Sequence, residues 1–453
     1  NKIASVGGNV YPLLCKNKDA QCEYFENCAY LAQMDDPETL DHDEMFKVLT
    51  EVKVMTHEHL FLRTKEQFLP PGLVIIDESF VRSAVDVTEM PVTDVLTFGD
   101  PDSVISAVGQ LLLRQEPNLL GELRKRTSAQ ALQDELEKYE SLHDNPFAVL
   151  DITASIDRQL AAVSKVQPSR IPLLIQTLAS ELTLADREVS HAVTCDGQTV
   201  RVHRRKALLL PPAPALMIDA DADTTLLEPF FGHKVDIEEI AVERIAEVHQ
   251  FSDRTFSKSS LLGQESGGEL LGQVRSFIAS IAARGQTLVV ASKAIRAAIT
   301  GEKLSEMGDE SVYAGATLAH FNNLRGVNKY SQYQNVIVVG REQPSTTGLE
   351  EVARGIWYDS TEPLKLLDDV SGSKPSQWQQ RGYRLSGGTG STRTAVHSDW
   401  RVQALQEQIR EAESTQAIDR LRLLRGHPEG LQRRVFILSS LPLDITVDHL
   451  WNW

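Results

Sequence analysis

A chain of 453 residues with 42% hydrophobic and 24% charged residues holds enough apolar material for two or three cores, so two lobes with an insertion suit it better than one domain. Its net charge of −17 excludes a protein that coats nucleic acid with a uniformly basic surface, but not one that grips a strand in a local basic groove. No apolar run approaches the roughly 20 residues of a membrane span, and four cysteines are too few for a disulfide scaffold; no membrane partner and a reducing, cytoplasmic location are expected. The sequence begins at Asn1 rather than Met and stops at Trp453, just past a strand-like run, and so reads as part of a longer protein.

In chain order, the first chemistry-bearing feature is Cys15, Cys22 and Cys28. Thiolates bind zinc or an iron–sulfur cluster, although a cluster held by protein alone normally takes four ligands, and Cys195 is far away in sequence. Clustered cysteines also occur as core residues, but the polar neighbours Lys16, Asn17, Lys18, Asp19, Glu23 and Glu26 favour a metal. Next, His57-Glu58-His59 is a poor metal site because adjacent positions face apart. Leu73-Val-Ile-Ile is then a continuous apolar run delivering Asp77-Glu78, the pattern of a buried parallel strand with acids at its tip. Such acids can hold Mg²⁺ and polarise a water, as in a Walker B element; strands also end in acids simply on reaching solvent.

From about residue 100 to 190 the pattern is helical, over Val104–Arg114, Leu119–Tyr139 and Ile171–Leu184. Strand signals return at Val200–His203 and Ala215–Ile218, and the basic run Arg201–Lys206 reads as a phosphate contact or a solvated edge strand. Asp219, Asp221 and Asp223, at alternate positions, would share a face if that strand continued. Thr287–Val290, Val336–Val339 and Val435–Leu438 read as buried strands, residues 372–398 as an irregular connection, and Trp400–Leu424 as a long helix. On that helix Gln416 and Arg420 stand at i and i+4 and share a face, where they could take a phosphate or form a solvated basic stripe. The fold class is therefore α/β with parallel sheets.

The order of these elements resembles the XPD/DinG-like iron–sulfur helicases of superfamily 2. A cysteine cluster, Thr56-His-Glu-His-Leu60, Asp77-Glu78, a helical stretch, Leu216–Thr225, Leu288–Lys293, Leu324-Arg-Gly-Val-Asn328 and Gln416-Ala-Ile-Asp-Arg420 follow the family's sequence of motifs. The blocks 315–344 and 400–441 look most like helicase-like proteins of phages, plasmids and mobile elements. The resemblance implies two RecA-like lobes, with lobe 1 in residues 1–88 and 191–235, a helical arch-like insertion in 89–190 and lobe 2 in 236–453. It implies ATP and Mg²⁺ as cofactors, with Asp77 and Glu78 catalytic and Gln416, Arg420, Arg422, Gly326 and Asn328 on the nucleotide or linking it to the strand. It also implies a 4Fe–4S cluster, or alternatively Zn²⁺, on Cys15, Cys22 and Cys28, and single-stranded or forked DNA as partner.

The departures are specific. Ser79-Phe80 replaces the family's Ala-His, and Asp219 and Asp221 make motif III unusually acidic. Asp419 replaces a glycine, and Arg422 comes one residue early, which on a helix turns its charge by about 100°. No Gly-x4-Gly-Lys-Ser/Thr loop occurs anywhere, and Gly387-Gly-Thr-Gly-Ser-Thr392 lacks the lysine. An upstream segment or a separate chain would then supply Walker A. The expected function is ATP-dependent 5′→3′ translocation and unwinding on single-stranded DNA. The alternative is a non-catalytic nucleic-acid-binding or assembly subunit on a degenerate helicase fold, with a nuclease built on the three aspartates as a remoter option.

Overall fold

Runs of β-branched residues and leucine fold into strands, and the longer patterns between them coil into helices that cover the strands. The computed structural model describes residues 56–61, 72–98, 100–143, 170–240, 242–263, 267–324, 328–367 and 377–453. In chain order these form β1 (Val74–Asp77), β2 (Val85–Pro91), α1 (Val92–Thr97), α2 (Val104–Leu113), α3 (Leu119–Arg124), α4 (Ala129–His143) and α5 (Ile171–Leu182). There follow β3 (Val193–Cys195), β4 (Thr199–Arg205), β5 (Ala215–Ile218), α6 (Thr224–Phe231), β6 (Glu247–Phe251), α7 (Lys258–Leu262) and α8 (Gly267–Ala282). The remainder is β7 (Thr287–Ala291), α9 (Lys293–Thr300), β8 (Ser311–Tyr313), β9 (Ala316–His320), β10 (Asn335–Val339), α10 (Thr346–Trp357), β11 (Gln377–Gly382), β12 (Ser391–Val396), α11 (Trp400–Asp419), β13 (Arg434–Leu438) and β14 (His449–Trp451). Among the described residues no helix is long and apolar enough to cross a membrane.

The fold is mixed α/β with parallel sheets, and the chain divides into two compact units. The first comprises Asn1–Asp86, Arg205–Asp219 and Phe230–Gly232; the second comprises Val87–Arg204, Ala220–Pro229 and His233–Trp453.

In the second unit, seven strands run in the order β14-β6-β13-β10-β7-β9-β8. All the pairings are parallel except that of β8 with β9. Every residue of β7 and β10 is buried because alternate side chains enter two separate cores. Leu288, Val290, Val336 and Val338 meet Ala417 and Ile418 of α11 on one side. Val289, Ala291, Ile337 and Val339 meet Leu270, Val274 and Ile278 of α8 and Ile295 of α9 on the other. Each such side chain, removed fully from water, stabilises the fold by about 1.5–3 kcal/mol.

The helical stretch has a core of its own, with α2, α3, α4 and α5 packed on the three-stranded sheet β2-β4-β3. Buried polar groups tie it to the remainder of the unit. Glu181 accepts from His191 N at 2.7 Å, from Ala192 N at 3.2 Å and from the Ser190 hydroxyl, and faces Arg187 at 3.6 Å. Arg187 donates to the carbonyls of Tyr358 and Ser360. Burial pushes the Glu181 carboxyl up and the Arg187 guanidinium down, since each charge loses water faster than its partners replace it.

In the first unit, β1 and β5 pair in parallel, with Ile75 opposite Leu216 and Asp77 opposite Ile218. Ile76 is buried, and fully buried Phe80 packs edge-on against Phe61, Phe230 and Phe231. The opposite face exposes Ile75 at 59% and Leu216 at 50%.

Several expectations change. Residues 377–396 of the expected irregular connection form the antiparallel hairpin β11–β12, because six residue pairs align across the Gly387–Gly390 turn. The Arg201–Lys206 run lies mostly on β4, the central strand of its sheet, not an edge, and Arg201 pairs with Glu89 at 2.8 Å and Asp196 at 3.1 Å. The strand before Asp219 ends at Ile218, so Asp219, Asp221 and Asp223 lie beyond it and do not share a strand face. The Leu119–Tyr139 stretch divides into α3 and α4, and the long helix stops at Asp419.

Candidate functional site

Two groups of residues combine the chemistry singled out in the sequence, one in each unit. In the first unit, the parallel register carries Asp77, Glu78 and Asp219 to the same, carboxyl-terminal rim of β1 and β5. Ligand groups gather at this rim in open parallel sheets. Glu78 donates its N–H to Ile218 O at 2.8 Å and adopts φ 65°, a left-handed conformation that L residues other than asparagine and aspartate seldom take. The sharp turn after β1 is thereby fixed by the neighbouring strand. His57, on a single helical turn (His57–Phe61), bonds Asp77 O through Nε2 at 2.8 Å. The Thr-His-x-x-Leu segment is in this way attached directly to the acidic tip.

In the second unit, the residues of interest lie where the strands begin. Asn328 precedes the short helical turn leading to β10, and Arg422 lies in the connection between α11 and β13. Arg422 does not follow the helical rotation expected for it, since the chain has already left α11 and Arg422 sits at φ 57°. Turned this way, its Nη2 donates to Asn328 Oδ1, joining positions 94 residues apart. Arg433, missed in the sequence, holds this turn. It is buried and donates to Arg422 O and Arg425 O, both at 2.8 Å, and to Ser331 O at 2.7 Å. Nothing in the pattern around residue 433 distinguishes it from a surface arginine.

Gln416 and Arg420 fall at i and i+4, with Arg420 as the helical C-cap of α11. Both are half-buried, and Gln416 Oε1 is buried with no hydrogen-bond partner among the described residues. Asp419 has a clear structural role. Both oxygens of Asp419 accept from Arg244, from Nε and Nη2 at 2.9 Å each, and this bond raises the guanidinium pKa further. Asp419 thus fastens the end of α11 to the segment before β6. Cys15, Cys22, Cys28 and Gly326 lie outside the described residues. Cys195 is half-buried on β3, and burial raises its thiol pKa.

A further cluster, invisible in sequence, is Glu247, His249 and His449 on β6 and β14, whose ligand-type atoms lie within 4.8 Å of one another. Its geometry is that of a hydrogen-bonded stack. The His249 ring stacks on Phe436 and His449, and His449 Nε2 meets Glu247 Oε1 at 3.1 Å. Trp451 donates Nε1–H to His249 Nδ1 at 3.2 Å, so the neutral imidazole keeps its proton on Nε2, where a metal would need a lone pair.

No protein-family model matches this sequence, and none of the curated proteins matches it significantly. The functional reading therefore rests on the residues and their arrangement.

Proposed function

We propose that the chain is the motor portion of an ATP-dependent DNA helicase or translocase of the XPD/DinG type, with two RecA-like lobes, moving 5′→3′ on single-stranded DNA. The observation that carries this reading is the parallel pairing of β1 with β5, which sets Asp77, Glu78 and Asp219 together at one carboxyl-terminal rim. Hard carboxylate oxygens suit Mg²⁺, which in ATP hydrolysis neutralises charge on the phosphates. In this reading Asp77 holds the ion and Glu78 orients the attacking water. Gln416, whose buried carbonyl oxygen lacks a partner, and Arg420 take the nucleotide from the second lobe. Asn328, bonded to Arg422, passes the state of that site to the strand. Cys15, Cys22 and Cys28 would hold a structural 4Fe–4S cluster or Zn²⁺.

A second reading, a non-catalytic nucleic-acid-binding subunit, is favoured by the lack of a Gly-x4-Gly-Lys-Ser/Thr sequence in these 453 residues and by Asp419 in place of glycine. DNA-stimulated ATP hydrolysis by the full-length gene product separates the two. The motor reading expects hydrolysis that Glu78→Gln abolishes. Absence of hydrolysis favours the second reading, and hydrolysis that Glu78→Gln leaves unchanged sinks the motor reading.

A further inference from the structure

Residues 377–396 contain three arginines and no acidic residue, in a chain of net charge −17. The register of β11 with β12 sorts their side chains onto two faces. Gln377, Gln379 and Arg381 share the inner face with Val396, Thr394 and Thr392. Val396 and Thr394 are buried, and Arg381 pairs with Glu407 at 3.1 Å and Glu411 at 2.8 Å on α11. This face attaches the hairpin to its unit.

The outer face has a different character. Trp378 and Gln380 stand opposite Ala395 and Arg393, and the indole is 58% exposed. The Arg393 guanidinium lies 5.9 Å from the indole centroid, and among the described residues no carboxylate pairs with it. Gln380 donates to the Ser391 hydroxyl at 2.6 Å. Folding gains little from a solvent-facing tryptophan, because most of its apolar surface stays in water. Its exposed strand neighbours are glutamines and an arginine, so the apolar surround of a protein-docking patch is lacking. An aromatic platform beside an uncompensated arginine, with amides and hydroxyls around it, suits unstacked bases joined by phosphates.

We propose that the outer face of the β11–β12 hairpin binds single-stranded nucleic acid, with a base stacked on Trp378 and a neighbouring phosphate on Arg393. A duplex keeps its bases stacked on one another and offers the indole nothing to pair with. This contact requires no nucleotide and would serve a motor or a non-catalytic subunit equally, so it stands apart from the ATP reading.

The test is fluorescence anisotropy of a labelled oligothymidylate with the full chain, without ATP, across a salt series. Trp378→Ala should weaken binding roughly 5- to 100-fold, while Trp378→Phe retains most of it. Arg393→Ala should lower the slope of log affinity against log salt by about 0.7, the loss of one phosphate contact on a single strand. Thermal unfolding followed by circular dichroism checks that each variant folds. Wild-type affinity in both Trp378→Ala and Arg393→Ala overturns the proposal. So does a folded wild type that does not bind the oligonucleotide.

Discussion

β1 of the first unit and β10 of the second begin from nearly the same text, Leu73-Val-Ile-Ile and Val336-Ile-Val-Val, yet they are covered differently. β10 lies between β7 and β13, with helices on both faces, and all its residues are buried. β1 pairs with β5 alone among the described strands and exposes Ile75 beside Leu216. Local sequence made both into strands, whereas burial was decided by what the rest of the chain supplies to cover them. The well-covered sheet carries the stability of its unit. The sparsely covered one carries the carboxylates at its rim.

The comparison can be tested at several scales. The largest effect expected is acid lability of the second unit. Burial holds His191 at about 3 and His203 at about 4, both well below an ordinary imidazole. Their unfolded forms therefore bind protons first, so the stability these neutral rings allow is complete above pH 6.5 and lost as pH falls toward those values. Between about pH 5.5 and pH 4.5 two such groups remove roughly 2–3 kcal/mol per pH unit. Urea unfolding at pH 7 and pH 5 measures this, and equal midpoints would show that neither histidine is buried neutral.

Truncation comes next. Ile337→Ala, in fully buried β10, should cost about 2–5 kcal/mol, whereas Ile75→Ala should cost under about 1 kcal/mol. Equal losses would mean that the Ile75 face is covered in the folded protein and would collapse the contrast. Smaller still, Asp419→Ala should destabilise the end of α11 by about 1 kcal/mol, because Arg244 loses both Asp419 oxygens at a partly exposed site and keeps only the Asp444 carbonyl. Hydrogen exchange localised to residues 415–425 reads this effect.

The α/β class and most of the strands were legible because β-branched runs bounded by polar residues have few other ways to bury themselves. Gln416 and Arg420 share a face as their spacing requires, and Asp77-Glu78 ends a strand. The contact from Arg422 to Asn328 was not legible. It depends on the chain leaving α11 at Asp419 and on a left-handed residue, which a helical wheel cannot represent. The hairpin was hidden by its glycines and by a tryptophan flanked by polar residues, a pattern with no buried alternation. Arg244 and Arg433 act through partners distant in sequence, so a single sequence carries no sign of them.

We propose an ATP-driven motor in which Asp77 and Glu78 act on Mg²⁺ and water and Gln416 and Arg420 act on the nucleotide. The most direct measurement is single-stranded-DNA-dependent ATP hydrolysis by the full-length protein, comparing Glu78→Gln with Arg420→Ala. The proposal expects both variants to fall to the DNA-independent background while still binding single-stranded DNA as the wild type does. Wild-type hydrolysis in either variant would contradict it.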